Sequence, residues 1–288
     1  MFKKLLLSTA ISLSSLCALA QNADSIVLVS AKWNKQKVSS KIKLITFHFN
    51  NKNLFAANEN ISYLEVKNKG RSPIFTIGAE DSLLKDVSVF GKEHQAIAAI
   101  NGSFFNVKKG GSVDFIKVNG RVISSNQLNK DGSRAMHQQA AVVIKNGKLS
   151  VLKWDGTTDW EQNIDAENIL LSGPLLTYNK ADEHLNTKNP FITLRHPRTC
   201  IGIRPNGKVI LLTVDGRHAN SAGMSLPELA NTMRWLGCTS AINLDGGGST
   251  TLWVKDWPDN GVVNYPTDNK TWDHDGERKV ANTILIKK

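Results

Sequence analysis

The fold of this chain is decided by the stretch Thr239-Ser-Ala-Ile-Asn-Leu-Asp-Gly-Gly-Gly-Ser-Thr-Thr-Leu-Trp-Val254. Ala241, Ile242 and Leu244 form a short apolar run bounded by turn residues, the pattern of a buried strand. That run delivers Asp245 to its end. Three glycines follow, and no helix or strand interior tolerates three together, because each loses backbone entropy and packs nothing. Glycines do let a backbone pass close to a ligand and aim N–H groups into one hollow, which suits an anion. Three hydroxyls (Ser249, Thr250, Thr251) and a second strand-like run through Val254 complete the stretch. No Gly-Lys-Ser/Thr follows, so it is not a Walker phosphate loop. It also lacks the Gly-x-Ser-x-Gly elbow of a serine hydrolase, which makes Ser249 a hydrogen-bond donor rather than a nucleophile.

Immediately upstream, Leu226, Leu229, Ala230, Met233 and Leu236 form one apolar stripe, predicting a helix over Leu226 to Leu236. Ser225 and Glu228 make a capping box, Pro227 is tolerated in the first turn and Gly237 stops the helix. Asn119-Gly120, Asn146-Gly147 and Pro205-Asn-Gly207 each separate two strand-like runs and read as hairpins. Further strands are expected at Ile26–Ser30, Lys41–Asn50, Ile61–Val66, Ile74–Ile77, Ala96–Ile100 and Val280–Ile286, a turn at Asn50–Asn53, and a helix over Ser82–Gly91 or a little beyond. Patchy alternation implies that several strands are covered on both faces. The long polar stretch from Lys255 to Lys279 carries Trp257, Tyr265 and Trp272, which suit either a sugar platform or packing against the body. The expected fold is α+β: one domain with an extensive mixed, twisted β-sheet and helices packed against it.

Residues 1–20 start Met-Phe-Lys-Lys, run apolar, and end Ala18-Leu-Ala20, which reads as a signal peptide. The mature domain is then 21–288, exported to a periplasm or the extracellular space, with no further run long enough to span a membrane. Leu16 before Cys17 is a poor fit to a lipidation box, so no lipid anchor is expected there. The formal charge is +11, and loss of Lys3 and Lys4 lowers it by two, to +9. A basic chain favours anionic partners. Without a Lys/Arg tract or an aromatic RNA-type motif, nucleic acid is not among those expected. Cys200 and Cys238 both sit in apolar surroundings, and the sequence leaves open a bridge or two buried thiols. No Cys/His spacing resembles a zinc site.

Several separated segments agree with one family: Ile100-Asn-Gly-Ser-Phe-Phe105, Ser172-Gly-Pro-Leu175, Arg195-His-Pro-Arg-Thr199 with Ile201-Gly-Ile203, Val214-Asp-Gly-Arg217 with Ser221-Ala-Gly-Met224, Asn243 to Thr250, and Glu277-Arg-Lys-Val-Ala-Asn282. In these the chain resembles the phosphodiester glycosidase family, from about Ala96 to the C-terminus. Cys200 and Ser103 depart from the family's usual small residues without removing a chemical group. The resemblance implies a hydrolase that releases a sugar from a sugar-1-phosphodiester, in a glycan or phosphoglycan.

The chemistry of that reaction sorts the residues. Breaking the bond at the anomeric carbon builds positive charge on the sugar and negative charge on the departing phosphate, so cations and N–H donors are needed on one side and a carboxylate on the other. Arg198, Arg217 and Arg278 are the candidate phosphate ligands, because a guanidinium matches phosphate oxygens bidentately; Arg195 is weaker. Gly246, Gly247, Gly248, Ser249 and Thr250 would add donors, and Asn101 and Asn243 would orient sugar hydroxyls. Asp245 and Asp215 each end a buried run and are the candidate catalytic acids, with Glu277 a third. His196 and His218 stand beside the arginines as candidate proton shuttles. No cofactor is required, although Asp215 and Asp245 have the oxygen chemistry for Ca²⁺ or Mg²⁺. Two other readings stand beside this one: a non-catalytic carbohydrate- or peptidoglycan-binding module, and a metal-dependent phosphodiesterase cutting P–O.

Overall fold

The computed structural model describes residues 22–288, so the expected leader and Cys17 lie outside the described residues. An eight-stranded sheet runs in the order Asn34–Lys37, Ile42–Leu54, Ala57–Val66, Val209–Val214, Arg198–Ile203, Ser240–Asn243, Leu175–Tyr178 and Ala181–Asp182. A four-stranded sheet orders Leu252–Val254, Ala98–Asn101, Asn282–Lys287 and Ile74–Ala79, and a five-stranded sheet holds the Asn119-Gly120 and Asn146-Gly147 hairpins. The three sheets share one core. Ile42, Leu64, Leu211 and Ile242 of the first meet Ile77, Ile100 and Ile284 of the second and Val142 and Leu170 of the third.

The other face of the large sheet is buried too. Ile210, Leu212 and Val214 pack with Leu226, Leu229 and Met233 of the Leu226–Trp235 helix, while Val209 and Leu211 face the inter-sheet core. A strand buried on both faces has no reason to alternate, which explains the patchy pattern. The helix forms where expected: the Ser225 hydroxyl accepts from the Glu228 N–H, the Glu228 carboxylate accepts from the Ser225 N–H, and Gly237 closes the end at φ +84°. Burying each of its large apolar side chains contributes about 1.5–3 kcal/mol.

The α+β class holds, and all the strand pairings are antiparallel rather than mixed. Parallel neighbours need a long crossover, whereas tight hairpins join Ile42–Leu54 to Ala57–Val66 and Arg198–Ile203 to Val209–Val214 in the large sheet. Three local expectations are corrected. Ala23–Ser30 is a helix, because the Asn22 side chain caps it and Leu28 packs into the core beside the longer helix; a short apolar run cannot distinguish the two states. The strand from Ile42 continues to Leu54, absorbing Asn51 and Lys52 at positive φ as an irregularity, and the turn falls at Phe55-Ala56. The second helix starts only at Val87, five residues later than expected, and ends at Glu93, a little beyond Gly91 as expected.

One connection positions the site. The Leu226–Trp235 helix carries the chain from the end of Val209–Val214 to the start of Ser240–Asn243. These two strands flank Arg198–Ile203, each antiparallel to it, so they run the same way and end at one edge. The stretch Thr239–Val254 then crosses between sheets: its first run lies in the large sheet, its second in the four-stranded one, with the glycine turn between.

Candidate active site

Asp215 comes directly, and Asp245 one residue later, after the two co-directional strand ends, with Arg198 at the start of the strand between them. Arg198 stands opposite Val214, and the Leu244 N–H donates to the Thr199 carbonyl at 2.9 Å. The second sheet joins here. The Asp245 N–H donates to the Gly102 carbonyl (3.0 Å), while the Asn101 amide donates to the Asp245 carbonyl (2.7 Å). Asp245 itself is half-buried. Burial pushes its carboxyl up to about 6, against the pull of the Ser249 hydroxyl and the Gly246 N–H, which donates to Oδ1 at 3.0 Å. Ser249 makes no hydrogen bond of good geometry; its influence is one of proximity.

The glycines act first by being small. A Cβ on Gly246 would lie 2.6 Å from the Pro197 carbonyl oxygen, one on Gly247 3.0 Å from an Arg217 Nη2, and one on Gly248 2.6 Å from an Arg278 Nη2. Two guanidiniums therefore lie directly against the turn that follows Asp245. Gly247 also needs its φ of +63°, which other residues adopt at a cost. As an N–H cradle the turn offers less than expected. The Gly247 N–H is spent on the Pro197 carbonyl, and those of Ser249 and Thr250 on Gly246 and Gly247. More donors come from hydroxyls: buried Ser249, Thr250 and Thr251 have no partner for their side-chain oxygens. Buried polar atoms left unpaired call for a ligand or ordered water.

The arginines differ. Arg217 is exposed, has no carboxylate partner among the described residues, and holds φ +62°, a strained conformation for a side-chain-bearing residue. Arg198 is 1 % exposed; its Nε donates to the Met224 carbonyl (2.8 Å) and its Nη2 to those of Phe191 and Leu194 (2.7 and 3.0 Å). Burial and the charge of Arg217 pull it down to about 10. Arg278 is paired with Asp268, its Nε donating to Oδ1 at 2.9 Å. Arg195 forms a two-pronged pair with Glu228 and so holds the helix start instead of a ligand. His196 is drawn down by burial and then by the charges of Arg198 and Arg217, which favours its neutral form. His218 stacks on Trp272 with centroids 5.0 Å apart.

Four expected site residues turn out to be engaged elsewhere, the last of them only in part. Asp215 is 1 % exposed, and its carboxylate accepts from the Asn60 amide (2.7 Å), the Asn264 amide (2.8 Å) and the Tyr265 N–H (3.0 Å). Burial raises it to about 6, those donors lowering it. It holds the 255–279 loop through Asn264 and Tyr265, with almost none of its own surface exposed. There Tyr265 and Trp272 stack at 4.3 Å and 3°, and Trp257 lies apart, packed on the inter-sheet core. Glu277 accepts from the Ser88 N–H (3.0 Å) and hydroxyl (2.5 Å), serving as the cap that Asp86 does not supply for the Val87–Glu93 helix. Asn101 is saturated by Thr199, Thr251 and Asp245. Asn243 donates to Gly173 and Leu244, leaving its buried Oδ1 unpaired.

Two residues passed over in the sequence join the site. Asp114, fully buried, accepts from the Ser103 hydroxyl (2.7 Å) and bonds His137 Nδ1 (2.8 Å); its charge helps to raise Asp245. The signal for Asp114 is an acid opening the apolar run Phe115-Ile116, whereas His137 has none. Cys200 and Cys238 are free buried thiols. No helix among the described residues is long and apolar enough to cross a membrane, and no three His, Cys, Asp or Glu side chains among them gather as metal ligands.

Residues 94–287 match the family model for phosphodiester glycosidase. N-acetylglucosamine-1-phosphodiester alpha-N-acetylglucosaminidase from Mus musculus is 27% identical over 189 residues, 59% of this chain and 33% of that protein, and the Homo sapiens enzyme is 26% identical over the same length. The chain thus spans about a third of the length of these relatives. The zebrafish N-acetylglucosamine-1-phosphodiester alpha-N-acetylglucosaminidase catalytic domain superposes with a TM-score of 0.65 at 20% identity, over 90% of this chain and 89% of that one. A hypothetical protein from Synechocystis gives a TM-score of 0.66 at 15% identity, over 89% and 64%.

Proposed function

The chain belongs to the phosphodiester glycosidase family, and on that premise we propose that it is an exported hydrolase that splits a sugar-1-phosphodiester at the anomeric C–O bond. The observation that carries this reading is the crowding of guanidiniums against the turn behind one half-buried carboxylate. Arg217 lies on Gly247 and Arg278 on Gly248, two and three residues beyond Asp245, and the charge of Arg278 acts on the Asp245 carboxyl. Arg217, free of a carboxylate partner among the described residues, holds the phosphate, with Arg278 and the hydroxyls of Ser249 and Thr250 around it. Arg198 is too enclosed to be a clamp and raises the local positive potential instead. Asp245, as the carboxylate, meets the positive charge that develops on the sugar. A phosphate is a good leaving group, so no strong general acid is needed. The leader at 1–20 would deliver the enzyme to a periplasm or the extracellular space, where phosphorylated surface glycans are its substrate class.

The test is hydrolysis of a panel of α- and β-sugar-1-phosphodiesters, with and without chelator, by the wild type and by Asp245→Asn. Turnover that survives chelator and is lost in the variant supports the reading. Binding without turnover makes the chain a carbohydrate-binding module. Loss with chelator makes it a Ca²⁺- or Mg²⁺-dependent phosphodiesterase.

A further inference from the structure

The Asp114–His137 pair has the arrangement by which enzymes orient a proton acceptor. Asp114 is 0 % exposed and holds His137 through Nδ1 at 2.8 Å, with the Gln138 amide (3.2 Å) and the Ser103 hydroxyl (2.7 Å) fixing the carboxylate. A buried carboxylate that accepts from Nδ1–H sets the tautomer and leaves Nε2 with the lone pair. Among the described residues His137 Nε2 has no hydrogen-bond partner. The imidazole borders a cavity of 360 Å³ lined also by Phe104, Asn129, Ala135, Met136 and Phe191, large enough for a sugar ring. Phe104 covers one side of the ring at 4.7 Å between centroids, and Arg198 lies 4.9 Å from the Phe191 ring.

Two connections tie this cavity to Asp245. Ser103, which holds Asp114, follows the Gly102 whose carbonyl accepts from the Asp245 N–H. Gly173, whose carbonyl accepts from Asn243, packs so tightly on the other side that a Cβ there would lie 3.1 Å from His137 Cα. The charged group that contacts the imidazole is Asp114, whose own charge acts in turn on Asp245.

Resting on the proposed sugar-1-phosphodiester hydrolysis, we infer that His137, oriented by Asp114, is the general base that takes the proton of the attacking water. Nε2 removes that proton as the water oxygen bonds to the anomeric carbon. The C–O bond to the phosphate breaks with its electron pair leaving on the phosphate oxygen, and the imidazolium returns its proton to solvent. Asp114 is the positioning residue.

The experiment compares kcat, KM and their pH profiles for wild type, His137→Gln, His137→Ala and Asp114→Asn on one hydrolysed diester from the panel. General-base loss lowers kcat by about 10²- to 10⁴-fold. His137→Gln is expected to fall in that range with KM within about threefold of wild type. His137→Ala should regain turnover on addition of imidazole, which the enlarged cavity admits. Wild-type kcat and pH profile in His137→Gln overturn the proposal alone. So does a loss that imidazole does not restore while the pH profile keeps its shape. Should His137→Ala fail to fold, His137→Gln decides by its pH profile. Absence of turnover in the wild type itself overturns the reading of the whole site, and this inference with it.

Discussion

Replacing Glu59 by Gln should remove a large part of the pH dependence of stability above neutrality. Glu59 lies in the Ala57–Val66 strand at 0 % exposure. Its Oε2 accepts from the Gly223 N–H (3.1 Å) and the Ser221 hydroxyl (3.2 Å), and its Oε1 has no partner. Burial pushes its carboxyl up from 4.5 to about 9, against the pull of Arg195. The folded chain therefore keeps a proton that the unfolded chain releases above about pH 4.5. Stability from this group is complete below that pH and is lost as pH rises, by ~1.4 kcal/mol per unit, until Glu59 itself ionises near 9. Gln copies the neutral acid: its carbonyl can accept from Gly223 and Ser221, and its amide stands where Oε1 stood. Between pH 6.5 and 8.5, above the range in which Asp215 and Asp245 titrate, the stability difference between variant and wild type should grow by roughly 2.7 kcal/mol. Urea unfolding of both proteins at three pH values measures it directly. Parallel stability curves would refute the claim that Glu59 is buried as a neutral acid.

Asp245→Asn should lose about 10²- to 10⁴-fold in kcat yet gain about 1–3 kcal/mol of stability at pH 8, because the ionised form is the costly one in the folded state; activity assays and thermal unfolding on one preparation test both. In wild type, kcat/KM should rise through pH ~6 as Asp245 ionises. Arg217→Ala should lose about 10- to 100-fold in kcat/KM at unchanged fold, and Arg217→Lys should recover little of it, since the bidentate fork is lost; a Lys variant of wild-type efficiency would sink the phosphate assignment. Gly248→Ala meets only the ends of the Asp268 and Arg278 side chains, so it should cost activity more than stability. Gly223→Ala puts a Cβ 2.4 Å from the His196 backbone at φ +83° and should cost several kcal/mol by mechanisms of strain and overlap; melting temperatures separate the two.

Much of the site was legible because its groups sit where buried strands stop. Asp245 and the glycine turn are read from an apolar run that ends in polar residues, Arg198 from its family-like segment and the phosphate chemistry of a guanidinium, and the capping box marked the Leu226–Trp235 helix. What the sequence could not show was which polar groups are already partnered. Asp215, Asn101 and Glu277 have the right chemistry for ligand contact, but Asn264, Thr199 and Ser88, distant in numbering, saturate them. The same blindness hid the Asp114–His137 pair: 23 residues separate its members, and only the packing of Gly173 beside Met136 and His137 shows why they meet. Spacing reports what a single element presents. Convergence of elements is set by the crossover helix and by the join between two sheets.

The most direct test of the central claim follows the oxygen. Hydrolysis of a sugar-1-phosphodiester in ¹⁸O-labelled water, quenched before the sugar exchanges its anomeric oxygen, should place the label on the sugar and none on the phosphate monoester. Label in the phosphate would show attack at phosphorus and contradict the account.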